Sequence, residues 1–395
     1  RSVSVYGGVV AIPAAFFAFA GITKAAQMPF NSWLLGAMVA PTPTSALLHS
    51  STMVKAGVFM IIKLAPVLGM GNFAGIMTMM VGGITFLMAS FAAISQSNAK
   101  RVLAYSTIAN LGLIVTCGGI GTAESVWAGV MLIIFHAVTK SLLFLCVGTA
   151  EHNIGSRDIE DMDGLFVRMP RLAAFMMIGI AGMFLAPFGM LISKWAAMTA
   201  FVNSGNFILV GIICFGSAVT AFYWIKWMGK LSAIVANEKN IQQNVHKEEW
   251  FVQGTLVGLT VAVCLVFPLI SIYILVPYLE TVFGGISAAI MSSDNMIIMC
   301  IMVAALVVLT GFFFGKSKKK IVPIYLSGVN EGDNRTYYGS MGKDVKFTLR
   351  NWHMEKYFGE KKMNLVGGIL TTAMLVIGIG MMVGTLISLL TGGAA

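Results

Sequence analysis

The chain has 395 residues, 57% of them hydrophobic and 11% charged, and 26 Lys and Arg against 16 Asp and Glu give it a net charge of +10. A mean hydropathy of +0.86 and repeated apolar runs exclude a soluble globular class and predict a polytopic, all-α membrane protein, since about 20 apolar residues span a bilayer. The runs are continuous, unlike the short alternating segments of a membrane barrel, and the basic surplus falls in loops, where topology accounts for it without nucleic acid.

Ten hydrophobic segments follow in order: 5–40, 44–67, 72–95, 101–120, 124–150, 171–201, 206–228, 250–280, 294–315 and 364–391. The polar stretches are 151–170, 229–249 and 316–363. Cys117, Cys146, Cys214, Cys264 and Cys300 all fall inside hydrophobic segments without metal or cluster spacing, so neither disulfides nor a metal or other cofactor is expected. Basic residues collect after odd-numbered segments: Lys100 and Arg101, Arg157 and Arg168, Lys230, Lys239 and Lys247, and eleven from Lys316 to Lys362. The positive-inside rule places those turns in the cytoplasm and the C-terminus outside. The chain starts at Arg1 without an initiator Met or signal sequence, which predicts that a longer protein precedes it.

Segments one and six run past 30 residues and carry central Pro-Phe pairs, Pro29-Phe30 and Pro187-Phe188. Each reads as a broken helix with one lysine near the break, Lys24 and Lys194, and interrupted segments at matching places in two halves mark a transporter's binding site. Ordinary proline kinks are the alternative. Segment two holds His49 and Lys55, with Lys63 close enough to its outer end to snorkel. Segment five holds His136 and Lys140, four apart and so on one helix face. A lysine at the bilayer centre costs roughly 2.5 to 3.5 kcal/mol on insertion scales, so such residues face a bundle interior or a wet cavity. For His136 a satisfied interior hydrogen bond is the alternative. No Asp or Glu lies near the middle of a segment; Glu124, Glu151, Glu280 and Asp294 are terminal. The lysines therefore need a partner on another chain or further upstream, a wet cavity, or a desolvated amine that takes up and releases protons. Ser45, Ser50, Ser51, Thr52, Thr139 and Ser141 flank them and could hold bridging waters.

GITKAAQMPFNSWLLGAMVAPTPTSALLHSSTMVKAGV (21–58), KRVLAYSTIANLG (100–112) and FHAVTKSLLFLCVGT (135–149) resemble the antiporter-like membrane subunits shared by respiratory complex I, Mrp-type sodium/proton antiporters and energy-converting hydrogenases. The resemblance covers roughly residues 5–230. It implies a core of inverted five-helix repeats with broken helices and a mid-membrane line of protonatable residues. By that resemblance Lys24 and Lys194 are the two broken-helix lysines, His49 and Lys55 belong to the helix linking the half-channels, and His136 and Lys140 to the central connection. The glutamate that pairs with the first lysine in that family would lie upstream of residue 1.

The implied organisation is the remainder of a first half-unit (1–67), a second half-unit of five helices (68–230), two added helices (231–315), a cytoplasmic loop (316–363) and a final helix (364–395). Residues 325–362 resemble the loop before the last helix in energy-converting nickel-iron hydrogenases, too short and glycine-broken for the lateral helix of complex I, and able to dock on a neighbour or on anionic lipid. The sequon Asn334-Arg335-Thr336 falls on the side where it would go unused. The expectation is a multi-pass subunit of the inner (cytoplasmic) membrane. It would translocate protons, with sodium as an alternative, inside a redox-driven complex, most simply an energy-converting hydrogenase. Redox chemistry would sit on peripheral partners reached through other membrane subunits. An Mrp-type antiporter subunit and a non-translocating scaffold are the alternatives.

Overall fold

The computed structural model describes residues 7–185, 189–232, 240–284, 304, 329–330, 336–339, 341–346 and 353–390. Eight helical spans among them are long and apolar enough to cross a bilayer, and they coincide with segments two to eight and ten of the sequence. Segment nine, apart from Ala304, and most of the 316–352 loop lie outside the described residues.

Segment one is broken as expected. Helix α1 (Gly7–Lys24) stops, residues 25–31 leave the helix, and α2 (Ser32–Gly36) resumes. Pro29, which has no N–H to donate, lies in the break. Two polar groups freed there find partners: Met28 N–H donates to Thr85 Oγ1 at 3.2 Å, and Gln27 Nε2 to Ala25 O at 2.9 Å. Non-helical backbone at membrane depth needs such partners, because hydrocarbon supplies none.

Segment two holds α3 (Thr42–Ser50) and α4 (Met53–Leu64), separated at Ser51 and Thr52. Then come α5 (Phe73–Ile94), α6 (Ala99–Ile120) and α7 (Ala123–Ile154). Their ends are written in the sequence. Asn98 Oδ1 caps α6 by accepting from Arg101 N–H, Thr122 and Ser125 form a capping box on α7, and Gly121 and Gly155 end the two helices at φ 71° and 78°, a region that favours glycine. After α8 (Leu165–Arg168), segment six divides into α9 (Pro170–Phe184) and α10 (Gly189–Asn203). Pro187 lies outside the described residues, between those two helices.

Helix α11 (Phe207–Leu231) precedes α12 (Lys247–Ile270), which passes through one π-helical turn at 271–275 into α13 (Val276–Phe283). Pro268 and Pro277 bracket that widened turn. The last described helices are α14 (Glu355–Phe358) and α15 (Glu360–Leu390), the latter a turn longer at its start than its hydrophobic segment.

The core is organised around α6, whose residues are buried on all sides except at Arg101. It lies against α4, α5 and α7. Its crossing with α5 is set by glycines: a Cβ on Gly82 would stand 2.6 Å from Gly112 O, and one on Gly112 2.6 Å from Gly82 O. Small residues let membrane helices approach this closely.

One end of the bundle carries a layer of ion pairs. Lys100 meets Glu151 at 3.0 Å, Arg157 meets the same carboxylate, Arg101 meets Glu360, Lys230 meets Asp163 at 3.3 Å, and His353 Nε2 lies 2.8 Å from Glu160. Backbone bonds from Ala99 to Arg157 O and from Ile159 to Ser97 O fasten the loop after α7 to the start of α6.

The all-α expectation needs one addition. Strands β1 (Val329–Asn330), β2 (Thr336–Tyr338) and β3 (Asp344–Lys346) form a small antiparallel sheet, with Tyr337 opposite Val345. Thr336, Tyr337, Tyr338 and Val345 suit a pleated surface, and Gly342 at φ 64° supports the turn.

Candidate functional site

The separation of α3 from α4 is local chemistry. Ser50 Oγ donates to Ala46 O at 2.5 Å and Thr52 Oγ1 to Leu47 O at 3.0 Å, bonds that compete with the helical ladder. His49 is thereby placed in the last turn of α3 and Lys55 in the first turn of α4. Both are buried, and neither the His49 ring nitrogens nor the Lys55 ammonium has a hydrogen-bond partner.

Helix α7 brings His136 and Lys140 to the same place. Both are fully buried, and both His136 nitrogens are unpartnered. Ser141 Oγ, next to Lys140, donates to Ser50 Oγ at 2.8 Å and ties α7 to the α3/α4 break. The His49 ring lies 5.1 Å from that of Phe144, one turn beyond Lys140. Lys140 Nζ donates to Leu103 O at 3.0 Å and to Ser106 Oγ, both on α6, and stands 5.1 Å from the centroid of Trp224 on α11. Lys194, in the second turn of α10, is buried. The first residue of α10, Gly189, abuts Phe135: a Cβ there would lie 1.8 Å from the ring.

These groups form one array. His136 lies within electrostatic reach of Lys55, Lys140, His49 and Lys194, Lys140 within reach of Lys55, and His49 within reach of Lys140. No described carboxylate is among the charges felt at these three positions. Five of the six residues singled out in the sequence are therefore brought together. Lys24 is not: it ends α1 exposed. Lys63 is also exposed, and its ammonium lies over the Tyr278 ring at 4.7 Å.

A cavity of 680 Å³ opens beside the ion-pair layer. Pro41, Thr42 and Pro43 of the α3 start, Thr149 and Glu151 of α7, and Glu249 and Gln253 of α12 line it. Thr149 Oγ1 donates to Glu249 and accepts from Gln253 Nε2 at 2.7 Å, while Thr42 Oγ1 donates to Glu151 at 3.3 Å. From Thr42, the buried Ser45 and His49 follow at successive turns of α3. The sequence reading missed Thr42, Thr149, Glu249 and Gln253 of this group, and it also missed Ser106 and Trp224. The available signal was the polar trio Ser106, Thr107 and Asn110 inside an apolar helix.

Chemically, the array offers buried amines and imidazoles at helical spacing with hydroxyls between them. Such groups exchange protons, and their cost in a membrane is met where they serve a pathway.

Residues 7–220 match the family described as NADH:quinone oxidoreductase/Mrp antiporter, TM. The putative antiporter subunit mnhA2 of Staphylococcus aureus strain MRSA252 is 34% identical over 305 residues, 68% of this chain and 37% of its own length. Its counterpart in strain JH9 is 35% identical over 307 residues, 69% of this chain and 38% of its own. The chain thus spans under two fifths of the curated relatives it matches. Among solved structures, the Mrp complex from Dietzia sp. DQ12-45-1b gives a TM-score of 0.62 at 25% identity, over 80% of this chain and 36% of that one. The membrane-bound sulfane sulfur reductase, an archaeal respiratory membrane complex, gives 0.59 at 25% identity, over 68% and 54%.

Proposed function

The chain belongs to the NADH:quinone oxidoreductase/Mrp antiporter transmembrane family, and on that premise we propose that it is an antiporter-like subunit that moves protons along a mid-membrane line of Lys and His side chains. The observation that carries this is the convergence of Lys55, His49, Lys140 and Lys194 on His136 without a carboxylate among them. Buried amines and imidazoles held together without a counter-charge are costly for stability, so proton exchange is the reading that best accounts for their place in the bundle.

In this reading the line runs through the α3/α4 break and α7 to Lys194 beside the second broken helix; Lys24, exposed at the end of the first, would join it only through groups outside the described residues. Residues 1–67 then correspond to the remainder of a first half-unit and 68–230 to a second half-unit of five helices. The cavity beside Thr42 and Glu151 serves as a vestibule toward His49. The ion-pair layer faces the cytoplasm, the membrane is the inner one, and the C-terminus lies outside.

The antiporter relatives favour sodium/proton exchange within a multi-subunit membrane assembly over the hydrogenase assembly expected from residues 325–362. A second reading is supported by the likeness to the sulfane sulfur reductase, of whose chain a larger share is covered. In it, the subunit pumps protons within a redox-driven complex, with the redox centres on peripheral partners.

The test is proton and sodium uptake by vesicles holding the full-length complex, for wild type, Lys140→Met and Lys194→Ala. The expected result is a fall in transport of about tenfold or more with the complex still assembled. Sodium-coupled uptake supports the antiporter, and redox-driven proton uptake the second reading. Undiminished transport in both variants leaves a scaffold as the better account.

A further inference from the structure

The Lys140 ammonium is turned toward α6 and α11. Two of its bonds go to Leu103 O and Ser106 Oγ, and the Trp224 ring stands 5.1 Å away. Ser106 accepts from Lys140 and donates its own proton to Leu103 O at 3.0 Å, a carbonyl that cannot pass a proton on. An alternative acceptor is close. Tyr223, on α11, has Ser106, Thr220 and Trp224 as its polar neighbours. It is 1% exposed, yet its hydroxyl has no hydrogen-bond partner of normal geometry.

Three more buried atoms on the same two helices are unpartnered: Asn110 Oδ1, one turn beyond Ser106, and the indole nitrogens of Trp224 and Trp227. A buried polar group left unpaired is costly, and isolated cases call for an explanation. With the Tyr223 hydroxyl these make four unpartnered polar atoms on α6 and α11, and the Trp224 ring that carries one of them lies against Lys140.

We propose that Ser106 and Tyr223 form a branch of the path, carrying protons from Lys140 into the α6/α11 interface. The Ser106 hydroxyl turns from Leu103 O to Tyr223 OH. As Lys140 gives a proton to Ser106 Oγ, the original Ser106 proton passes to the Tyr223 oxygen, and the original Tyr223 proton leaves to a water molecule accepted by Asn110 Oδ1. One proton moves on; Lys140 is left as the neutral amine, and Ser106 and Tyr223 end as they began. This rests on the reading that Lys140 carries protons.

The experiment compares transport, its pH profile and the abundance of the assembled complex in vesicles for Tyr223→Phe, Ser106→Ala, Ser106→Thr and Lys140→Met. Tyr223→Phe removes one oxygen and keeps the ring against Trp224. The expected result is that Tyr223→Phe and Ser106→Ala each lower transport about fivefold or more and shift its pH profile at unchanged abundance. Ser106→Thr, which restores a hydroxyl, recovers most of the rate. Wild-type rate and pH profile in Tyr223→Phe, with Lys140→Met inactive, overturn the branch and leave the relay standing. Full transport by Lys140→Met overturns both. Where Ser106→Ala lowers abundance, Tyr223→Phe alone decides.

Discussion

Two buried lysines show how different the demands on one residue type can be. Lys100 is 1% exposed and its charge is answered by Glu151, which also takes Arg157 and the Thr42 hydroxyl. Glu151→Gln leaves the Lys100 ammonium buried beside a neutral amide. Breaking a buried pair costs about 3 to 5 kcal/mol, and the partial exposure of Glu151 places this one near the lower figure. The expected outcome is a lower midpoint of thermal unfolding in detergent and less assembled protein. Lys55 has no such partner. Lys55→Met removes an unanswered charge and keeps the volume, so unfolding moves to higher temperature while transport falls. Unchanged transport in that variant would return Lys55 to a packing role. Its place was legible because a charge stands out in an apolar run. Ser106 and Tyr223 were not legible in the same way, because a serine hydroxyl in a membrane helix usually bonds its own backbone, as Ser106 does at Leu103 O, and only the fold shows the Tyr223 hydroxyl buried without a partner.

At the scale of elements, hydrophobic runs located all eight described spans, because length and apolarity suffice to require a helix in lipid. The break after Lys24 was legible from Pro29. The one between α3 and α4 was not, since no proline or glycine marks it and Ser50 and Thr52 act through bonds to the carbonyls of Ala46 and Leu47. The crossing of α1 with α4 was equally hidden. A Cβ on Gly57 would stand 2.6 Å from Ala25 N and 2.7 Å from Gly21 O, both backbone atoms, so neither helix can give way by moving a side chain. Gly57→Val should therefore cost at least about 1 to 3 kcal/mol, the usual range for overpacking. It should also loosen the first broken helix, which differential hydrogen exchange over 20–31 would report.

For the whole molecule, the ion pairs gather at one end, while the exposed faces of α11, α12 and α15 are apolar, with Phe215, Leu265 and Leu365 among their outward residues. Those faces suit lipid or neighbouring membrane subunits. The orientation proposed above predicts that, in a cysteine-free background, Lys247→Cys reacts with an impermeant maleimide from the cytoplasmic side and Thr281→Cys from the other. Both residues are exposed, at opposite ends of one continuous span. Reversed labelling inverts the topology without touching the relay. The array itself was only half legible: the sequence supplied its three amines and two imidazoles, but not the indole of α11 that lies against Lys140, because that contact joins residues 84 positions apart. This contact has an optical consequence. The emission of an indole responds to a charge held over its ring, so Trp224 is a fluorophore built into the protein, and a turnover that discharges Lys140 should register as light without any attached dye.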